Sequence, residues 1–215
     1  MKKNRLEAFT DGVFAIVITL LILDVKLPDV SAGGLRPALV ALLPAIGAYV
    51  LSFVLIGMYW MFHHHSMTFV HDVDGVLLWL NIMFLLFISF MPFPTMMMGR
   101  YPYQTLPLVI YGCNLVLANA TGFVTLLYVR RNPQLTSHYF TDAVYRSQIR
   151  TYLVVNSLYV ACAASAFLAP KVSAAAYGVV GVCLVVRSAM SMGIGRCIIG
   201  GVPTMHRDVD EARAL

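Results

Sequence analysis

Apolar residues in this chain fall into six long blocks separated by short polar ones, and the block lengths decide what they can build. The blocks run over about residues 6–23, 38–62, 75–91, 106–129, 151–168 and 173–193. Each holds roughly 17–25 residues, the length that carries a helix across a hydrocarbon layer about 30 Å thick. None alternates apolar and polar positions over a strand's length, which excludes a membrane barrel. The pattern predicts an all-α, polytopic membrane protein with six transmembrane helices. Pro44 predicts a kink in the second helix, Pro92-Phe93-Pro94 a bend or stop after the third, and Pro170 a stop after the fifth. The blocks leave no room for a sizeable extramembrane domain, so residues 1–215 are expected to form one transmembrane domain.

Composition sharpens this reading. Of the 215 residues, 60% are hydrophobic and 12% charged, with a mean hydropathy of +0.78. A soluble domain carries about 45–50% apolar and about 25% charged residues. This chain could not cover a water-facing surface, so a soluble enzyme is excluded. The formal charge of +5 reports orientation and contact with anionic lipid rather than nucleic acid. Lys2, Lys3, Arg5, Arg130, Arg131, Arg146, Arg150, Arg196, Arg207 and Arg213 fall on one side of a six-span chain. Lys26, Arg36, Arg100 and Lys171 fall on the other, and Arg187 lies in the sixth span within snorkelling reach of an interface. That asymmetry places both termini in the cytoplasm. The basic start followed by Val30-Ser31-Ala32 suggests a cleavable leader, but Glu7 and Asp11 interrupt it, so no cleavage is expected. Cys113, Cys162, Cys183 and Cys197 lack paired spacing and read as small buried residues.

Candidate chemistry concentrates in the first helix and at the end of the second. An Asp in a spanning helix is costly unless paired or facing water, and Asp11 is such a residue. Gly12, Ile16, Thr19, Leu20 and Leu23 share one helical face. Spacing alone also fits an ordinary packed helix with Asp11 paired to Arg5 or to a histidine. The run His63-His64-His65, with His71, Asp72 and Asp74, invites a metal assignment. Consecutive helical residues, however, point about 100° apart, so the run reads as hydrogen bonding to the first helix, pH sensing or a metal site. Asn114 and Asn119, about 140° apart on the fourth helix, are expected to bond to different neighbours. No nucleotide-binding, nucleophile-elbow or dinucleotide motif is present.

The segment RLEAFTDGVFAIVITLLILD resembles the R-x-x-x-F-S-D signature that opens the first helix of the endolysosomal potassium channel family and its bacterial relatives. Trp60 with the histidine run, Asp74, Asn81 and Met91-Pro92-Phe93-Pro94 continue the resemblance over roughly the first hundred residues. Thr10 stands where the family usually has Ser, which keeps the hydroxyl and adds a methyl. The resemblance implies a homotetramer in the bacterial inner membrane, with the first helix of each six-helix subunit lining a central pore. It implies a potassium-permeable cation channel without a TVGYG filter, and Tyr177-Gly178-Val179-Val180-Gly181 is indeed scrambled relative to one. Ile16 is implied as the narrowest apolar ring, Leu20 and Leu23 as further rings, and Thr19 as a hydroxyl ring. Arg5, Phe9, Thr10, Asp11, Trp60, His64 and Asn81 are implied as a polar network that anchors the helix. Expected partners are lipid, sister subunits, potassium and other monovalent cations, with no cofactor, no nucleic acid and no enzymatic activity. Two other classes stay open. One is a proton- or cation-coupled secondary transporter using Asp11 and His63–His65, and the other is an intramembrane metal enzyme.

Overall fold

The computed structural model describes residues 3–27, 34–137 and 140–191. Among the described residues the chain is helical, and β pairing is confined to an isolated bridge between Val70 and Thr136. Helix α1 spans Lys3–Leu20 and closes in a 3-10 turn, Leu21–Asp24. It is followed by α2 (Leu35–Ala41), α3 (Leu43–Met67), α4 (Gly75–Phe90) and α5 (Pro92–Arg100). Helices α6 (Thr105–Arg131), α7 (Asp142–Ser165) and α8 (Pro170–Ser191) complete the described chain. Among the described residues, five helical stretches are long and apolar enough to cross a membrane: Lys3–Asp24, Leu43–Met67, Gly75–Arg100, Thr105–Arg131 and Pro170–Met190. Helix α7 is 24 residues long, but Asp142, Arg146 and Arg150 lie in its first half.

Of the prolines, Pro92 acts where the apolar pattern suggests, and Pro44 and Pro170 act differently. A proline lacks an N–H, and its ring clashes with the carbonyl four residues earlier. Pro44 accordingly sits in the first turn of α3 and leaves a one-residue break at Leu42, upstream of the expected kink. Pro92 opens α5 after a single turn residue, Met91, so the third block bends there and continues to Arg100. Pro170 begins α8 instead of merely ending α7, the role its preset φ suits. The second block runs past Phe62 to Met67, with the histidines inside the helix. The fifth starts nine residues before Thr151, where the Thr141 hydroxyl accepts from the Val144 amide and caps α7. Lys2, Pro28, Val30-Ser31-Ala32, Gly193, Arg196, Cys197, Arg207 and Arg213 lie outside the described residues.

Helix α6 packs against α4, α5 and α7. Asn114 donates to the Phe87 carbonyl of α4 (3.0 Å), and Asn119 donates to the Tyr152 carbonyl of α7 (3.0 Å). The 140° separation thus turns the two amides to two neighbours. Gly112 permits a close three-way approach, since a Cβ there would lie 2.1 Å from the Tyr177 hydroxyl and 2.7 Å from Ala163 Cβ. Tyr177 donates to the Leu108 carbonyl one turn earlier (3.0 Å). A buried trio of hydroxyls joins α3, α5 and α6: Ser52 lies 3.0 Å from Tyr111 and 2.7 Å from Thr95. Buried polar groups left unpaired cost about 1–3 kcal/mol each, so these contacts fix the helix register.

At the end of the bundle that holds the start of α1, Leu6, Met67, Val70, Val73, Leu77 and Val129 form a small core. Antiparallel backbone bonds seal it, from His71 N–H to the Leu135 carbonyl (2.7 Å) and from Ser137 N–H to the Phe69 carbonyl (2.9 Å). Two compact units are distinguished, Met1–Gly181 and Val182–Leu215. The second is described through Ser191 and is helical there.

Candidate functional site: the two faces of the first helix

Helix α1 divides cleanly into a covered and an uncovered face. Leu6, Thr10, Phe14, Val17 and the adjoining Leu21 are buried, at steps of three and four that trace one stripe. The stripe packs on α3 and α4. The Phe14 ring meets Phe84 of α4 at 6.0 Å, and Phe84 also stacks on His63 (5.4 Å) and meets Tyr59 edge-on (6.1 Å), both of α3. Phe84 is therefore the hub holding three helices together.

The opposite face is exposed among the described residues. Ile16 is 59% exposed, Leu20 44% and Leu23 61%, and Gly12 and Thr19 lie exposed among them. Phe9 shares this orientation at the start of the helix and is exposed too. The Thr19 hydroxyl donates back to its own helix, 2.9 Å from the carbonyls of both Ala15 and Ile16. Its proton is thereby committed to the backbone, and its oxygen lone pairs are left to the open side.

Polar groups pin the first half of α1. Asn81 Nδ2 of α4 donates to Thr10 Oγ1 (3.0 Å), which turns Asn81 Oδ1 towards His63 Nε2 at 2.8 Å. The carbonyl oxygen can only accept, so the His63 ring donates from Nε2. Trp60 Nε1–H donates to Asp11 Oδ1 (2.8 Å), and the Trp60 ring stacks on His64 at 5.7 Å. Thr10, Asp11, Trp60 and Asn81 are thus brought together across α1, α3 and α4. His64 reaches the group only by stacking. Arg5 stands apart and exposed, and the Asp11 carboxylate takes the Trp60 indole in its place.

The sequence points to His64 in the network where the structure places His63, and it misses Phe84. His63 is one of three adjacent histidines, yet it lies one turn beyond Ser52-Leu55-Tyr59 on the buried stripe of α3, and that periodicity marks it. Phe84 offers no signal, being one of many apolar residues in an almost wholly apolar helix.

Asn81 owes its position to the start of α4. Asp74 caps that helix by accepting the Leu77 amide (2.8 Å), and its other oxygen accepts the Tyr128 hydroxyl of α6. The Tyr128 hydroxyl, with the Leu77 amide behind it, holds the Asp74 carboxyl below the usual carboxylate range. Among the described residues no three His, Cys, Asp or Glu side chains converge as metal ligands would. His71 contacts exposed Asp72 (3.1 Å) and nothing in the α1 group.

The family model for the endosomal/lysosomal potassium channel TMEM175 matches residues 5–92, which contain every side chain of this group except Tyr128. A potassium channel of a Chryseobacterium species is 34% identical over 178 residues, covering 82% of this chain and 89% of that one. A potassium channel of Streptomyces collinus is 48% identical over 101 residues, 46% of this chain and 49% of that one. The crystal structure of a lysosomal potassium-selective channel TMEM175 homolog from Chamaesiphon minutus matches with a TM-score of 0.77 at 26% identity. It covers 86% of this chain and 97% of that one. With a relative matched at this identity along nearly its whole length, the chain belongs to the TMEM175 family of endosomal/lysosomal potassium channels.

Proposed function

We propose that this chain is one subunit of a homotetrameric, potassium-permeable cation channel, with α1 from each subunit lining a central pore. The family's members and the matched relatives are ion channels, not enzymes. The observation that carries the pore assignment is the split of α1. One face is fixed by Phe14, Thr10 and their partners, while Ile16, Thr19, Leu20 and Leu23 lie on the exposed face. In a fourfold assembly that face forms rings around the axis. Ile16 makes the constriction, Leu20 and Leu23 lie about 6 and 10 Å further along, and the Thr19 hydroxyls lie between.

Four aliphatic side chains around one axis give an ion no substitute for its water, so the ring excludes ions by dewetting when narrow. When it widens, ions pass partly hydrated, and potassium gives up water more readily than sodium. Lone pairs of Thr19, whose proton is tied to the helix, offer the passing cation an oxygen ligand. Potassium is the permeant ion here and not a resident cofactor. In this reading six helices cross the membrane, α7 included, as one transmembrane channel domain in the bacterial inner membrane. Both termini are cytoplasmic. The polar group around Thr10, Asp11, Trp60, His63 and Asn81 anchors the helix so that only its open face meets the ions. A coupled transporter would place broken helices at its site, whereas α1 is unbroken from Lys3 to Leu20.

The test is Ile16→Asn in purified tetramers in planar bilayers, with potassium and sodium on opposite sides. Replacing the apolar collar with amides that hold water should raise current and weaken discrimination between the two ions. Ile18→Asn, a little over half a turn away, should harm assembly without raising current. Unchanged conductance and selectivity in assembled Ile16→Asn channels would refute the pore assignment.

A further inference from the structure

Helix α7 carries a surface feature that the pore does not use. Arg146 and Arg150 are one turn apart and exposed, and among the described residues neither meets a carboxylate. The nearby acid, Asp142, is taken by Arg130, whose guanidinium also lies over the Tyr145 ring at 5.2 Å. Directly along the helix from these arginines runs an exposed apolar stripe: Leu153 (53% exposed), Val154 (45%), Ser157 and Val160 (51%). At 100° per residue all six side chains fall within a sector of about 120°.

The vertical spacing matches one leaflet of a bilayer. From Arg150 to Val160 is ten residues, or about 15 Å of helix, which is half of a hydrocarbon core about 30 Å thick. Arg146 lies about 6 Å further out, inside a headgroup layer of roughly 5–8 Å. The small, exposed Ser157 lies between Leu153 and Val160 on this face. Two unpaired guanidiniums above one leaflet's depth of apolar surface complement a phosphodiester with its tails. Arginine is suited to hold such a phosphate bidentately.

We infer that the Arg146–Val160 face of α7 is a binding seat for one anionic phospholipid per subunit. The two guanidiniums hold its phosphate, and the Leu153–Val160 stripe holds its chains. The seat requires α7 to cross the membrane, as proposed above, but is independent of which helix lines the pore. Loss of the Ile16 effect therefore leaves it standing.

The probe is phosphatidylglycerol competing with phosphatidylcholine. Purified full-length protein is equilibrated with equimolar mixtures of the two, and the lipid retained through delipidation is counted by native mass spectrometry. Wild type should retain phosphatidylglycerol severalfold over phosphatidylcholine. Arg146→Gln with Arg150→Gln should lose most of that preference, and Arg146→Lys with Arg150→Lys should lose part of it. Arg36→Gln with Arg131→Gln, which removes the same charge elsewhere, should keep it. Equal retention of both lipids by wild type would overturn the inference, as would equal losses in the two Gln pairs. So would a Leu153→Cys variant that crosslinks one subunit to another, because the face would then be an interface between copies. The Lys pair guards against misfolding: correctly assembled tetramers with unchanged preference in both arginine-replacement pairs also refute the seat.

Discussion

The two faces of α1 are built from almost the same residues and do opposite things. Leu6, Phe14, Val17 and Leu21 are buried, while Phe9, Ile16, Leu20 and Leu23 are open. Hydrophobicity does not separate them, and in lipid it would not drive them apart, since acyl chains are as apolar as leucine. Polar atoms make the difference. Thr10 lies on the closed face and finds Asn81, whereas Thr19 lies on the open face and finds only its own backbone. A rotation of α1 by half a turn would carry Thr10 away from the Asn81 amide and Asp11 away from the Trp60 indole, leaving both donors without these acceptors. The polar pairs therefore choose which aliphatic stripe is left open.

The strongest way to break this contrast is on the closed face. Phe14→Ala removes the ring that meets Phe84 and should cost about 3 kcal/mol, the low end of the aromatic truncation range because the transfer contribution is small in lipid. Tetramer yield and thermal stability in detergent should fall sharply, and an undiminished melting temperature would show that α1 is not held there. Next comes Asn81→Ala, which strips partners from both Thr10 and His63 and should cost about 2 kcal/mol. Its expected signature is loss of ion discrimination along with stability, because α1 can then turn; unchanged reversal potentials in assembled channels would separate the anchor from the pore.

Thr19→Val acts on the open face alone. It keeps the shape and removes the oxygen, so conduction and assembly should persist while potassium preference falls roughly two- to tenfold, the range that about 0.5–1.4 kcal/mol of lost coordination covers. A reversal potential identical to wild type would remove Thr19 from ion contact. The smallest effect is expected at Asp74. Its carboxyl titrates below the ordinary range in the folded protein, so its contribution is complete above about pH 4 and is lost as pH falls through the lowered value. Asp74→Asn should flatten the acid limb of stability against pH while leaving the neutral plateau nearly level. An acid limb of unchanged slope would show that other carboxylates set it.

Much of the site is legible in residue spacing, and the places where spacing misleads have physical causes. The open stripe of α1 and the divergent directions of Asn114 and Asn119 arise from 100° per residue. An apolar count ends α3 at Phe62 because it stops at a histidine. The helix continues because His63 bonds to Asn81 and stacks on Phe84, and His64 stacks on Trp60. Pro170 reads as a stop and Pro92 as a bend or stop because a proline ends the helix before it, but each also presets the first turn of the next helix. The Trp60–Asp11 bond is hidden for a different reason. A sequence shows that an Asp needs a partner but not which of several donors reaches it, and Arg5 is nearer in the chain than Trp60.

The Thr10–Asn81 bond joins residues 71 positions apart, which gives the helix a history as well as a place. At about 5–20 residues per second of synthesis, Thr10 emerges about 4–14 s before the amide that will hold it. Until Trp60 of α3 reaches Asp11, α1 lies in the bilayer with no polar bond to fix its rotation, and either aliphatic stripe serves equally well against lipid. Trp60 of α3 supplies the first polar hold, and Thr10 gains its partner only when α4 arrives. A nascent chain truncated after α3 should therefore hold α1 by the Trp60–Asp11 bond alone, while one extended through Phe90 should add the Thr10–Asn81 bond and restrict its rotation further.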